Sequence, residues 1–202
     1  GNSRCLLVAD LPFLACGAGD NRAILNAGRL LQEGGAHAVK LEGGEVMAET
    51  TRYLSDRGIP VMAHIGLTPQ SVNVFGGYKT QGKGNDAKRI MKDAIAVFNE
   101  WAELNKDLGM ERGHADAVTE MLDFALKERQ RINKNFTFLD LGCGNGWVVR
   151  KVIDDPLCKK ALGIDGADQM IANAKARGNK EDYILANIYD YEPQKKFDLI
   201  HS

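Results

Sequence analysis

Short apolar runs alternate with stretches of helical period along most of this chain, and that alternation restricts its fold more than any other feature. Strand runs are expected at 5–9, 36–41 and 59–65. A helix at 21–31 puts Ile24, Leu25, Ala27, Gly28 and Leu31 on one face before Gly34 and Gly35 stop it, and a second at 46–54 ends at Gly58. Strand, helix, strand at this spacing implies right-handed crossovers and a parallel sheet whose ligand edge lies at the strand C-termini. Asp10, Lys40, Glu42 and His64 fall on that edge. The stretch 66–84 is long for a loop and is expected to cover a site. From Asp86, apolar residues at Ile90, Met91, Ala94, Ile95, Phe98, Trp101, Leu104 and Leu108 predict one long helix ended by Gly109, followed by a second at 114–128. The β-α pattern then returns, with strands at 136–141, 161–165, 183–186 and 197–200 and helices at 148–153 and 169–176.

Charge and composition exclude several classes. With 26 Lys+Arg against 27 Asp+Glu the net charge is −1, so no basic excess draws the chain to nucleic acid or an anionic membrane surface. No apolar run approaches the roughly 20 residues that cross a bilayer, and Gly1-Asn2-Ser3-Arg4 lacks the pattern of a secretory leader, so a cytoplasmic protein with a small-molecule ligand is expected. Cys5, Cys16, Cys143 and Cys158 show no metal-site spacing and are expected as reduced thiols. The 22 glycines are the informative excess, because they cluster.

One cluster is Asp140-Leu141-Gly142-Cys143-Gly144-Asn145-Gly146, a D-x-G-x-G-x-G run at a strand-to-helix junction. Glycines there let the backbone turn sharply and approach a ligand, while Asp165, at the end of the next strand, offers a carboxylate to a pair of ribose hydroxyls. Through these residues the stretch 99–202 resembles the N-terminal part of a class I S-adenosylmethionine-dependent methyltransferase. Phe138-Leu139-Asp140-Leu141-Gly142-Cys143-Gly144-Asn145-Gly146 stands as its first motif, Gly163-Ile164-Asp165 as its second, Ala186-Asn187 as its third and 197–202 as its fourth strand. The resemblance implies S-adenosylmethionine as ligand, Asp140, Gly142, Gly144 and Gly146 around its methionine part, Asp165 on the ribose and Asn187 at the adenine edge. Many relatives have Asp at the Asn187 position.

The first half carries a different resemblance. By spacing, Asp10, Lys40 and Glu42 at strand ends suit a divalent cation beside an organic anion, although such residues also often simply face solvent. Val8-Ala9-Asp10-Leu11-Pro12-Phe13, Ala36-His37-Ala38-Val39-Lys40-Leu41-Glu42-Gly43-Gly44, His64-Ile65-Gly66-Leu67-Thr68-Pro69-Gln70-Ser71-Val72 and Phe75-Gly76-Gly77-Tyr78-Lys79 resemble ketopantoate hydroxymethyltransferase of pantothenate biosynthesis. That family is a (β/α)8 barrel, and the resemblance implies Mg²⁺ at Asp10 and Glu42 with the ketoacid near Lys40 and His64. Only the third to fifth β-α units are matched, so the metal set and the catalytic Glu are incomplete. Metal binding by Asp10 and Glu42 alone is expected to be weak and vestigial, with His64 either a ligand-site residue or a hydrogen-bonded structural histidine.

The two resemblances, about 1–98 and 99–202, meet inside one amphipathic helix, and a seam of that kind reads as an engineered chimera. The leading expectation is one merged α/β domain: a seven-stranded, mostly parallel, doubly wound, Rossmann-like sheet assembled from a (β/α)8-barrel fragment and half a methyltransferase fold. The alternative is two subdomains, as a monomer or as a homodimer through the N-terminal fragment. Three functions stay open: an S-adenosylmethionine-binding half-site with little or no turnover, an active methyltransferase or hydroxymethyltransferase, and a structural chimera with no ligand.

Overall fold

The computed structural model describes residues 5–104 and 106–202; residues 1–4, on which the expectation about a leader was read, lie outside that range. In chain order the elements are β1 (Val8–Asp10), α1 (Asp20–Gln32), β2 (Ala38–Glu42), α2 (Glu45–Asp56), β3 (Val61–His64), a single 3₁₀ turn (Pro69–Ser71), α3 (Asn85–Glu103) and α4 (Asp107–Ile132). They continue with β4 (Phe136–Leu141), α5 (Trp147–Ile153), β5 (Cys158–Asp165), α6 (Asp168–Arg177), β6 (Asp182–Leu185) and β7 (Leu199–His201). The chain divides into two compact units, Gly1–Glu100 and Trp101–Ser202.

Among the described residues the strands form two sheets rather than one, which corrects the expected merger: β1-β2-β3 in the first unit and β6-β5-β4-β7 in the second, each parallel throughout. Each sheet has a core of its own, one against α1 and α2 and the other against α4, α5 and α6, so neither needs the other's strands to bury its apolar face.

In the first unit β2 is central. Val39 and Leu41 point into a core with Ala23 and Ala27 of α1 and Leu54 of α2. Alternation then sends Lys40 and Glu42 to the opposite face, and the register places Asp10 beside Lys40 and His64 beside Glu42. Asp93 of α3 caps α2, its Oδ1 accepting the Glu45 N–H at 2.9 Å.

The second unit is more deeply packed. β4 and β5 are buried on both faces, as central parallel strands should be. Phe136, Phe138 and Ala161 meet Val148, Val149 and Val152 of α5, Ile171 and Ala174 of α6 and Leu122 of α4. On the other face Leu139, Leu162 and Ile164 are covered by Ala186, Tyr191 and Phe197.

The helical stretch after Asp86 also differs from expectation. Gly109 ends nothing; α3 stops at Glu103, Lys106 N–H bonds back to Trp101 O, and α4 runs for 26 residues through both Gly109 and Gly113. Leu104 and Leu108 keep the apolar period across the break, so hydropathy hides it. The loop after β3 is pinned: Gln70 gives its N–H to Glu42 Oε2 at 2.9 Å and its side-chain amide to Leu11 O at 2.7 Å.

Candidate functional site

In the second unit the glycine turn grows directly out of β4. Gly142 and Cys143 N–H both bond to Ile164 O at the end of β5, which fixes where the turn leaves the sheet. Gly144 (φ 51°) has open space where a side chain would stand. Gly146 (φ 78°) does not: a Cβ there would lie 2.4 Å from the Tyr183 hydroxyl, and Tyr183 bonds to Gly146 O at 3.1 Å and Glu181 Oε1 at 2.9 Å. Gly144 is therefore the glycine that leaves room above the turn, whereas Gly146 lets β6 pack beneath it.

Asp165 holds the turn. Its Oδ2 accepts the Gly144 N–H at 2.9 Å and its Oδ1 the Ala167 N–H at 2.8 Å, so each oxygen keeps a lone pair for a hydroxyl donor. Asn187 lies beyond the end of β6 and is engaged locally, donating to Asp190 Oδ2 at 2.8 Å and accepting the Tyr189 N–H at 3.0 Å.

Just before the glycine turn, at the end of β4, Asp140 takes a partner that the sequence reading passed over. Asp140, at 3% side-chain exposure, lies 2.6 Å from Nδ1 of His201, its register partner on β7. Burial lifts the Asp140 carboxyl above the ordinary range, and the hydrogen bond to Asp140 lifts the His201 imidazole. Burial, with the Asp140 and Asp165 carboxylates adding to it, pushes the Cys143 thiol well above the usual range.

α4 supplies a wall that the sequence reading also missed. Asp107, Glu111 and His114 line a cavity of about 90 Å³ with Gly142, Gly144 and Trp147. Their spacing of four and three residues puts them on one helical face, the signal that could have found them. Asn145 is tied to Glu111 at 3.2 Å, and Asp107 to Arg177 at 2.5 Å. Among the described residues the other Asp107 oxygen, Oδ1, is buried with no partner.

In the first unit the four sequence-selected residues come together on one sheet face, where Lys40 and Asp10 satisfy each other, whereas His64 Nδ1 is buried without a hydrogen-bond partner among the described residues, which corrects the expected hydrogen-bonded histidine. Lys40 Nζ lies 2.7 Å and 2.9 Å from the two oxygens of Asp10 and 3.8 Å from Glu42 Oε1. The Asp10 hydrogen bond holds the lysine above its ordinary pKa. His64 Nδ1 stands 3.6 Å from Glu42 Oε1, beyond hydrogen-bond reach. The described residues contain no group of three or more His, Cys, Asp or Glu placed to hold a metal. An ammonium seated between the two carboxylates does not fit Mg²⁺, which needs those oxygens itself.

Parallel sheets with polar residues gathered at strand C-termini define an α/β protein whose candidate sites lie at those ends. Residues 1–103 match the ketopantoate hydroxymethyltransferase family and residues 138–202 a methyltransferase domain. The chain belongs to the ketopantoate hydroxymethyltransferase family through its first half and joins to it a methyltransferase segment. The 3-methyl-2-oxobutanoate hydroxymethyltransferase of Cereibacter sphaeroides is 46% identical over 162 residues, 78% of this chain and 53% of that protein. The enzyme of the same name from Chelativorans sp. is 59% identical over 97 residues, 48% of this chain and 34% of that protein. The chain thus spans about half the length or less of these curated relatives. Among solved structures, a Haloferax volcanii methyltransferase in complex with its Trm112 activator has a TM-score of 0.43 at 26% identity, covering 51% of this chain and 45% of the other. The DhpI complex with S-adenosylhomocysteine has a TM-score of 0.42 at 20% identity, covering 52% and 49%. No helix among the described residues is long and apolar enough to cross a membrane.

Proposed function

We propose that the chain works chiefly through its second unit, as an S-adenosylmethionine-binding methyltransferase segment, and that its first unit carries out little hydroxymethyl transfer. The observation that carries the first statement is Asp165: its carboxylate already shapes the glycine turn through Gly144, yet keeps acceptor capacity toward the open side of the sheet. A cavity of about 90 Å³ is well below the roughly 300 Å³ of a pocket that encloses a drug-sized ligand. It takes the amino-acid end of the ligand between α4 and Gly142–Gly144, while the nucleoside lies on the open edge toward Asp165 and Asn187. When bound, the ligand supplies an electrophilic methyl group on a sulfonium. Asp165 would hold the ribose and the turn would set the depth of the methionine chain.

The second statement rests on Lys40. Its ammonium occupies the space between Asp10 and Glu42, so the face that would polarise a ketoacid through a cation is already neutralised by the chain itself. Titration calorimetry of the full chain with S-adenosylhomocysteine tests the reading. Saturable binding that Asp165→Ala weakens at least tenfold supports it, and a folded chain that takes up no heat overturns it.

A further inference from the structure

We infer that His201 and Asp140 form a general-base dyad, in which His201 Nε2 takes the proton of a hydroxyl-bearing methyl acceptor and Asp140 positions the ring. The inference rests on the methyltransferase reading above and adds to it the class of acceptor.

The geometry is that of an oriented imidazole. Nδ1 lies 2.6 Å from Asp140 Oδ1, and the β4–β7 ladder sets the two residues side by side. A buried carboxylate on one ring nitrogen selects the tautomer with the proton there and leaves the lone pair on the other. The His201 side chain keeps 18% of its surface exposed, and Nε2 makes no hydrogen bond among the described residues. Position agrees with this role. In a sheet ordered β6-β5-β4-β7 the order in which strands are added switches sides between β4 and β7, and ligands of open parallel sheets bind in the crevice outside that switch. His201 ends β7 on that crevice, and Asp140 precedes the glycine turn by one residue.

The chemistry selects the acceptor. A neutral amine already has a free lone pair, and a thiol ionises readily near neutral pH, so neither needs a base of raised affinity. An alcohol or phenol does. The hydroxyl proton moves to Nε2, the oxygen pair forms the new bond to the methyl carbon, and the carbon–sulfur bond breaks with its pair going to sulfur; the proton then leaves His201 for solvent. The charged or titratable groups around the pair are Asp165 on β5, which acts on Asp140, and the Cys143 thiol, which burial and then Asp140 keep protonated.

Long-range nitrogen NMR on the full chain tests the dyad without turnover. The expected result is the Nδ1–H tautomer near neutral pH, titrating above the ordinary imidazole range and returning toward it in Asp140→Asn. An Nε2–H tautomer, with Nδ1 accepting from a protonated Asp140, overturns the proposal even if the variant fails to fold. Saturation with S-adenosylmethionine is then compared with S-adenosylhomocysteine. A sulfonium facing Nε2 should lower the His201 pKa by about one unit relative to the thioether, and identical values with both ligands bound place His201 away from the methyl and refute the role. Amides of Gly142–Asn145 unmoved by either ligand sink the methyltransferase reading and this assignment with it, while the tautomer result stands separately.

Discussion

The two sheets treat their strand-end carboxylates in opposite ways. In the first unit Lys40 closes on Asp10 of the neighbouring strand and stands 3.8 Å from Glu42, two residues on, whose other oxygen accepts the Gln70 N–H. In the second, Asp165 bonds to backbone N–H groups of the turn it supports, and Asp140 to a histidine. A carboxylate whose contacts are its own scaffold's N–H groups organises a site, whereas one closed on an ammonium, as Asp10 is, fills it. Packing follows the same division, since β4 and β5 are buried on both faces while the functional face of β1–β3 stays half open.

The sharpest way to break this comparison is through the cores. Phe138→Ala should cost about 4 kcal/mol and Leu41→Ala about 3 kcal/mol by urea denaturation. Hydrogen exchange should slow more in β4 and β5 of the wild type than in β1–β3, and equal protection would remove the distinction. Next come the glycines. Gly146→Ala meets Tyr183 and a positive φ together and should lose about 3 kcal/mol, whereas Gly144→Ala meets only the backbone penalty of about 1 kcal/mol. Reversed values would show that the turn, rather than β6 packing, is the tight spot. Asp165→Ala leaves the Gly144 and Ala167 N–H groups without their acceptor and should cost about 2 kcal/mol in thermal or chemical melts.

The pH response of stability has a definite sign. Because the native His201 pKa is raised, the folded state holds a proton that the unfolded chain releases: the stabilisation is full below the ordinary imidazole range and fades as pH rises through the native pKa. The raised Asp140 carboxyl acts in the same direction, giving up stability as pH climbs above the ordinary carboxylate range. Melting curves across that span should fall with pH, and His201→Gln should flatten the upper part. The smallest effect is at Lys40, where Lys40→Met should change stability by less than about 1 kcal/mol. Its use is qualitative: Mg²⁺ binding measurable by calorimetry should emerge once the ammonium is gone, and a variant as indifferent to Mg²⁺ as the parent would mean that Asp10 and Glu42 do not face one ion.

Much of this was legible in the sequence, for reasons that also mark where legibility stopped. Apolar runs and glycine stops located every strand and most helices, because β-α units repeat local rules. The break between α3 and α4 was hidden by Leu104 and Leu108, which carry the period across it. The division into two sheets depends on which strands pair, and the apolar runs of β1 and β7 carry no mark of the neighbour each takes. The glycine turn could be read because backbone geometry demands its residue type. The Asp140–His201 pair could not, since nothing in a residue's spacing announces which neighbouring strand will lie beside it.

The anchoring of Gly144 by Asp165 has a kinetic consequence. A loop already clamped before its ligand arrives has little conformational freedom left to surrender, so association should proceed at a single concentration-dependent rate without a slow isomerisation, and differences between ligands should show up in how fast they leave.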